Sequence, residues 1–261
     1  MAYTENSGVR IYWDEAGQGD PLLLIMGLGW ASNMWHRTRP VLASRYRTIA
    51  FDNRGAGRSA VPPGPYSIAV MASDAAAVLD AAGVSSAHLL GASMGGMIAQ
   101  EFALQYPARV RSLVLACTAP GGPETQQPGP EVAQVLMSTG LSPEERARAI
   151  VPFIYDSGTP RERIDEDLRV LSELYPIPEG FFAQIQAILA WEAFSHLPQI
   201  AAPTLIIHGR NDRLVPVANA DLIARRIPTA QLVKIENAGH IFLTDQPAKT
   251  HEALLSFLST H

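Results

Sequence analysis

The chain has a single cysteine, Cys117, so it cannot form an intramolecular disulfide, and a soluble, cytoplasmic protein is expected. Cys117 follows the apolar run from Ser112 and reads as a buried packing residue. No basic stretch leading into an apolar one opens the chain at Met1–Gly8, so no secretory signal is expected there. The longest apolar run, Leu22–Trp30, is well short of the ~20 residues that span a bilayer. Positive charge is not in excess: 20 basic residues stand against 25 acidic ones, a net charge of −5, with no basic stripe to displace phosphate counterions. Neither nucleic acid nor membrane is therefore an expected partner, and a monomer or homodimer is. The composition of disorder is also missing, since 47% of residues are hydrophobic and 17% charged.

What the chain does have is an alternation of short apolar runs with longer amphipathic stretches. This is the pattern of parallel strands joined by crossover helices, an α/β fold with a central sheet covered on both faces. Strands are predicted at Val9–Glu15, Pro21–Met26, Tyr46–Asp52, Ala87–Gly91, Ser112–Ala116, Thr204–His208 and Gln231–Glu236. A turn at Asn6-Ser7-Gly8 would lead Tyr3–Glu5 into the first of them, making the sheet begin antiparallel. Helices are predicted at Asn33–Ala43, Ser67–Ala82, Met94–Gln105, Val217–Arg226 and Pro247–Thr260.

Length alone, 261 residues at roughly 150 per domain, allows about 1.7 domains. The surplus lies in one place: about 87 residues separate the strand ending at Ala116 from the one starting at Thr204, far more than an ordinary connection. This stretch holds 11 of the 20 prolines, with helical signals at Ser142–Ile150, Arg161–Leu174 and Gly180–Ala193. Residues 1–118 and 200–261 are expected to form the core, and 119–199 a helical cap.

The chemistry-bearing signal is Gly91-Ala92-Ser93-Met94-Gly95, a G-x-S-x-G pattern. Roughly 0.1 such matches are expected by chance in a chain of this composition, so context decides. A strand-like run precedes it and a helix-like one follows. A serine on so tight a turn lifts its hydroxyl to a helix N-terminus, where free N–H groups favour developing negative charge.

A serine nucleophile needs a base, and the base needs an orienting group. His240, in Asn237-Ala238-Gly239-His240 just after a strand, sits where α/β sheets place their sites. His88 and His208 lie in strand-like runs and are expected to be buried, His36 and His196 fall in helical or cap segments, and His251 and His261 lie in or after the final helix. Asp212 also follows a strand and reads as the orienting acid, although Asp at such a place can instead cap the next helix. Asp52 is expected to brace its loop through Arg54 or Arg58.

In its motifs the chain resembles the α/β-hydrolase superfamily. The resemblance rests on Met26-Gly27-Leu28-Gly29, Asp52-Asn53-Arg54-Gly55-Ala56-Gly57-Arg58-Ser59, the Ser93 elbow, Ile207-His208-Gly209 with Asp212, Gly239-His240, and the order Ser93, Asp212, His240. The elbow and Gly27–Trp35 look like the cofactor-free esterases, enol-lactonases and perhydrolases; Met26 departs from the usual first residue of the oxyanion motif. The resemblance implies an oxyanion hole built from the backbone N–H groups of Leu28 and Met94, and no cofactor or metal.

The resulting expectation is a serine esterase acting on small to medium apolar esters through Ser93, Asp212 and His240. Gly27, Trp30, Phe153, Tyr155, Trp191 and Phe242 would line its substrate pocket, with Val135, Met137 and Phe182 also in the cap wall. Enol-lactone hydrolysis is the nearest rival. Perhydrolase chemistry is less favoured, because the proline expected beside the oxyanion loop is missing. A slow small-molecule binding protein on the same fold is the rival from another class.

Overall fold

The computed structural model describes residues 2–261. It begins with a hairpin: β1 (Ala2–Asn6) pairs antiparallel with β2 (Val9–Ala16) across Ser7 and Gly8, whose φ values of 53° and 78° are the left-handed angles of a tight two-residue turn. The chain continues through β3 (Pro21–Ile25), α1 (Arg39–Ala43), β4 (Arg47–Phe51), α2 (Ile68–Ala81), β5 (Ala87–Ala92), α3 (Met94–Gln105) and β6 (Val110–Ala116). Four helices follow: α4 (Pro130–Met137), α5 (Pro143–Ile154), α6 (Arg161–Glu173) and α7 (Pro178–Ala190). The chain then returns to the sheet with β7 (Thr204–Gly209), α8 (Ala218–Arg226), β8 (Ala230–Ile235), α9 (Phe242–Asp245) and α10 (Pro247–Leu258).

The eight strands lie in the order β1-β2-β4-β3-β5-β6-β7-β8, parallel from β4 onward. Strand periodicity divides the core in two. Leu23, Ile25, Leu89, Leu113 and Ile206 point to one face and pack with α2 and α3, while Leu22, Leu24, Leu90, Val114 and Ile207 point to the other and meet α10. Every predicted strand is present, with ends shifted by at most two residues.

The helices differ more. Asn33–Ala43 is not one helix but a 3₁₀ turn at Ser32–Trp35 followed by the short α1. Pro40 explains the break: it has no N–H to donate and fits a helix only in the first turn, which is where α1 holds it. In the insertion, α4 was not among the predicted helices, and α5 runs on through Pro152 to Ile154. Ser142 starts α5 with a reciprocal cap, its hydroxyl accepting from Glu145 N–H while the Glu145 carboxylate accepts from Ser142 N–H. α7 ends at Ala190, not Ala193, because the chain there turns to bridge Gly121 with Glu192. Among the described residues no helix is long and apolar enough to cross a membrane.

Candidate active site

Three loops at the carboxyl ends of the central strands converge. Ser93 lies between β5 and α3 with φ 56° and ψ −120°, a conformation an L-residue holds only when its surroundings force it. The flanking glycines show why the turn is possible: a Cβ on Gly91 would lie 2.2 Å from the Gly95 carbonyl oxygen, and one on Gly95 2.1 Å from that of Ile25. The chains after β7 and β8 are equally close. A Cβ on Gly209 would lie 1.9 Å from the Gly239 oxygen, and this contact brings the Asp212 loop against His240.

Asp212 Oδ2 accepts from His240 Nδ1 at 2.7 Å. Its Oδ1 accepts the backbone N–H groups of Leu214 and Val215 at 2.9 and 2.8 Å, which fixes the carboxylate plane. α8 has Val217 at its N-cap position, so Asp212 does not cap that helix. The buried His208 adds a partner that sequence reasoning missed: its Nε2 lies 3.0 Å from Asp212 Oδ2 and 2.8 Å from the Val215 carbonyl oxygen. The signal was available, since His208 precedes Asp212 by four residues at the end of the same strand.

Burial works against the charge on Asp212, yet the two imidazoles beside it outweigh burial and hold its carboxyl down at about 2. Burial likewise opposes a proton on His240, but the Asp212 carboxylate, aided by the neighbouring Cys117 thiol, raises the imidazole well above its ordinary value. No hydrogen bond closes between Ser93 Oγ and His240 among the described residues, as is common before substrate arrives. Both side chains line one cavity of about 120 Å³.

That cavity lies between the sheet and the inserted helices, with Gly27, Leu28, Trp30, Cys117, Tyr155 and Phe181 on its wall. Three residues expected there are elsewhere. Phe153 lies outside it with the Arg213 guanidinium 4.7 Å from its ring, Trp191 packs into the main core and donates its indole N–H to Glu101 at 2.9 Å, and Phe242 is wholly buried beneath the sheet. The cause is common to all three: an apolar side chain at helical spacing is satisfied by any apolar neighbour, and these found the core or a cation. Cys117 is buried as expected, but it faces this cavity as well.

The loop carrying Leu28 is held by partners from both sides. Asn53 Nδ2 donates to the Met26 carbonyl at 2.8 Å, and Gln184 Oε1 accepts from Gly29 N–H at 2.7 Å. The next stretch of core is fixed by Asp52, which accepts from Arg58 Nε at 2.7 Å and from the Ser32 hydroxyl, also at 2.7 Å. Arg58 is thus the partner of Asp52, while Arg54 pairs with Asp74. Two more carboxylates, unforeseen from sequence, tie the insertion to this region. Asp167 accepts from Arg37 Nε, Tyr155 Oη and Thr244 Oγ1 at 3.0, 3.0 and 2.6 Å. Asp245 accepts from Gly239 N–H at 2.7 Å and from Asp156 N–H at 3.2 Å, and burial pushes its carboxyl up to about 6.

A family model described as the α/β-hydrolase fold matches residues 20–247. The chain belongs to the α/β-hydrolase family. The candidate carbamate hydrolase RutD of Azorhizobium caulinodans is 34% identical, over 98% of each chain. A thermophilic esterase from Thermogutta terrifontis superimposes with a TM-score of 0.85 at 27% identity, covering 99% of this chain and 98% of its own. The enol-lactonase of Burkholderia xenovorans gives 0.88 at 24% identity, over 99% and 100%, a likeness of fold. Within the α/β-hydrolase family's fold, this chain's cavity lies where the converging loops meet the inserted helices.

Proposed function

We propose that the protein is a serine hydrolase of small, largely apolar carboxylic esters, with residues 119–199 acting as the cap that walls its pocket. The observation that carries this reading is the strained Ser93 elbow sharing a cavity with a His240 imidazole that Asp212 orients at 2.7 Å. Ser93 Oγ attacks the ester carbonyl while His240 Nε2 takes its proton. The oxyanion rests on the N–H groups of Leu28 and Met94, and Met94 opens a helix whose first amides have no partner within it. His240 returns the proton to the leaving alkoxide. A water then gives its proton to His240 and attacks the acyl carbon, releasing the acid and restoring Ser93. Asp212 holds the Nδ1–H tautomer throughout and stabilises the imidazolium. The cavity, at about 120 Å³, is below the ~300–1,000 Å³ of pockets for drug-sized ligands, which favours short acyl and alkoxy groups.

Small carbamates are the second reading, favoured by the 34% identity to the RutD relative. The same attack serves a carbamate carbonyl, so the groups just described do not separate the two. Turnover of short p-nitrophenyl esters, lactones and carbamates by wild type and Ser93→Ala, with phosphonate labelling of Ser93, tests the proposal. Loss of ester turnover in Ser93→Ala together with labelling at Ser93 supports it. Full turnover in Ser93→Ala overturns the nucleophile, and activity confined to lactones or carbamates overturns the substrate class.

A further inference from the structure

Gln184 lies on α7, in the insertion, yet it is fully buried and both ends of its amide are spent on the core. Oε1 accepts from Gly29 N–H at 2.7 Å, and Nε2 donates to the Arg54 carbonyl at 2.8 Å. The orientation follows from its partners, since an amide N–H must face an oxygen and a carbonyl must face an NH₂. Gly29 follows directly on Leu28. Of these two consecutive amides, Gly29 is anchored to Gln184, whereas Leu28 N–H has no partner among the described residues. With Asn53 Nδ2 holding the Met26 carbonyl, the loop is fixed on either side of Leu28, whose N–H is left open.

α7 does not simply rest on this loop. A Cβ on Gly180 would lie 2.0 Å from the Gly55 carbonyl oxygen, so helix and core loop meet backbone to backbone, and a Cβ on Gly29 would lie 2.8 Å from the Phe181 ring. A glutamine amide in so dry a place costs free energy unless all its bonds are made, and here they span the two units.

We propose that Gln184 is a positioning residue for the oxyanion site. Through Gly29 it sets the aim of the Leu28 N–H, so the inserted helix α7 is a fixed part of the catalytic apparatus and not a lid that swings clear. The proposal rests on the serine-hydrolase reading for its kinetic consequence, but not for its structural one. Gln184→Met keeps the shape and removes both hydrogen bonds. Gln184→Glu, protonated in this dry site, keeps an acceptor for Gly29 and a donor for Arg54.

With a short ester, Gln184→Met is expected to lose kcat by about 10–100-fold, less than or equal to the loss of a whole oxyanion donor, with KM little changed. Affinity for a small boronic acid, which forms a tetrahedral adduct on serine, should fall in parallel, and Gln184→Glu should recover both. The Gly29 amide gives a readout independent of the reaction: its hydrogen exchange should be slow in wild type and Gln184→Glu and fast in Gln184→Met. If Gly29 exchange behaves this way while the wild type takes neither ester nor boronate, the brace stands and the serine reading falls. Unchanged Gly29 protection in Gln184→Met, or a kcat loss without loss of boronate affinity, overturns the assignment.

A covalent clamp tests the fixed helix. A Cβ at Gly64 would lie 3.7 Å from that of Ala183 on α7, a spacing suited to a disulfide. Oxidised Gly64→Cys/Ala183→Cys should turn over ester as fast as its reduced form, with wild type under the same oxidant as control for Cys117. Activity lost on oxidation and restored by thiol would mean that α7 must move, contrary to the proposal.

Discussion

Two buried aspartates near the same cavity show how partners, not residue type, decide what a carboxylate does. Asp212 and Asp167 are 6% and 2% exposed, and both carboxyls are held below the usual range against the opposing effect of burial. Asp212 comes from the core and meets two imidazoles, one of which reaches the Ser93 cavity. Asp167 comes from the insertion and meets the Arg37 guanidinium, the Tyr155 and Thr244 hydroxyls and the His36 imidazole, whose Nε2 lies 3.2 Å from Asp167 Oδ1. The carboxylate that lines the cavity is Asp167, yet it is Asp212 that the proposed mechanism uses. A pocket-facing acid is therefore a poor guide to chemistry by itself, since Asp167 lies among groups, Arg37 and Thr244, that tie the insertion to the core.

The contrast is sharpest if each aspartate is removed in turn. Asp212→Asn should lower kcat/KM by about 10,000-fold, since the amide favours the wrong imidazole tautomer, while the protein stays folded by circular dichroism. A loss of only a few-fold would erase the distinction. Asp167→Ala should do the reverse: about 2–6 kcal/mol less stability in urea titration, because the buried Tyr155 and Thr244 hydroxyls lose their acceptor at about 1–3 kcal/mol each while Arg37 keeps Glu166, with kcat within about an order of magnitude of wild type. A catalytic defect as deep as that of Asp212→Asn would show that the two carboxylates are not separate in role.

The pH profile distinguishes them further. His240 acts as base only when neutral, and Asp212 raises its affinity for the proton, so the acidic limb of kcat/KM should lie above 6.5. The residual activity of Asp212→Asn should have its limb moved down toward that value. For stability the signs are opposite. The contribution of Asp212 is present above pH 3.8 and lost as pH falls through about 2, whereas that of His240 is present below 6.5 and lost as pH rises through its raised value. A wild-type limb at or below 6.5 would contradict the coupling. The smallest effect is expected for Tyr155→Phe, which removes the one phenol bonded to Asp167: about 1.5–3 kcal/mol of stability, read by thermal melting, with the pH limb unmoved.

The core was legible because its local signals agree with one another. Apolar runs gave the strands, and glycines around Ser93 gave a turn that hardly any other residues allow. The insertion was not, for reasons visible in single residues. Phe153 and Trp191 there, like Phe242 in α9 of the core, carry an apolar pattern that says they will be covered but not by what. Gln184 is one of two glutamines in Phe181–Ala187, with nothing in sequence to set it apart from Gln186, and its partners, Gly29 and Arg54, are more than a hundred positions away. Asp167 and Asp245 look in sequence like any solvated acid.

Sequence by itself determined the order of the strands along the chain, the elbow at Ser93, and the places of Asp212 and His240 at the ends of β7 and β8, because each depends on neighbours a few residues apart. Tertiary structure alone decided that His208 backs Asp212, that Asp167 and Asp245 fasten the insertion to the core, and that a glutamine in the insertion holds the loop beside Leu28. These are hydrogen bonds between buried polar groups. Their worth comes from the exclusion of water, which no short stretch of chain achieves and only the packed fold supplies.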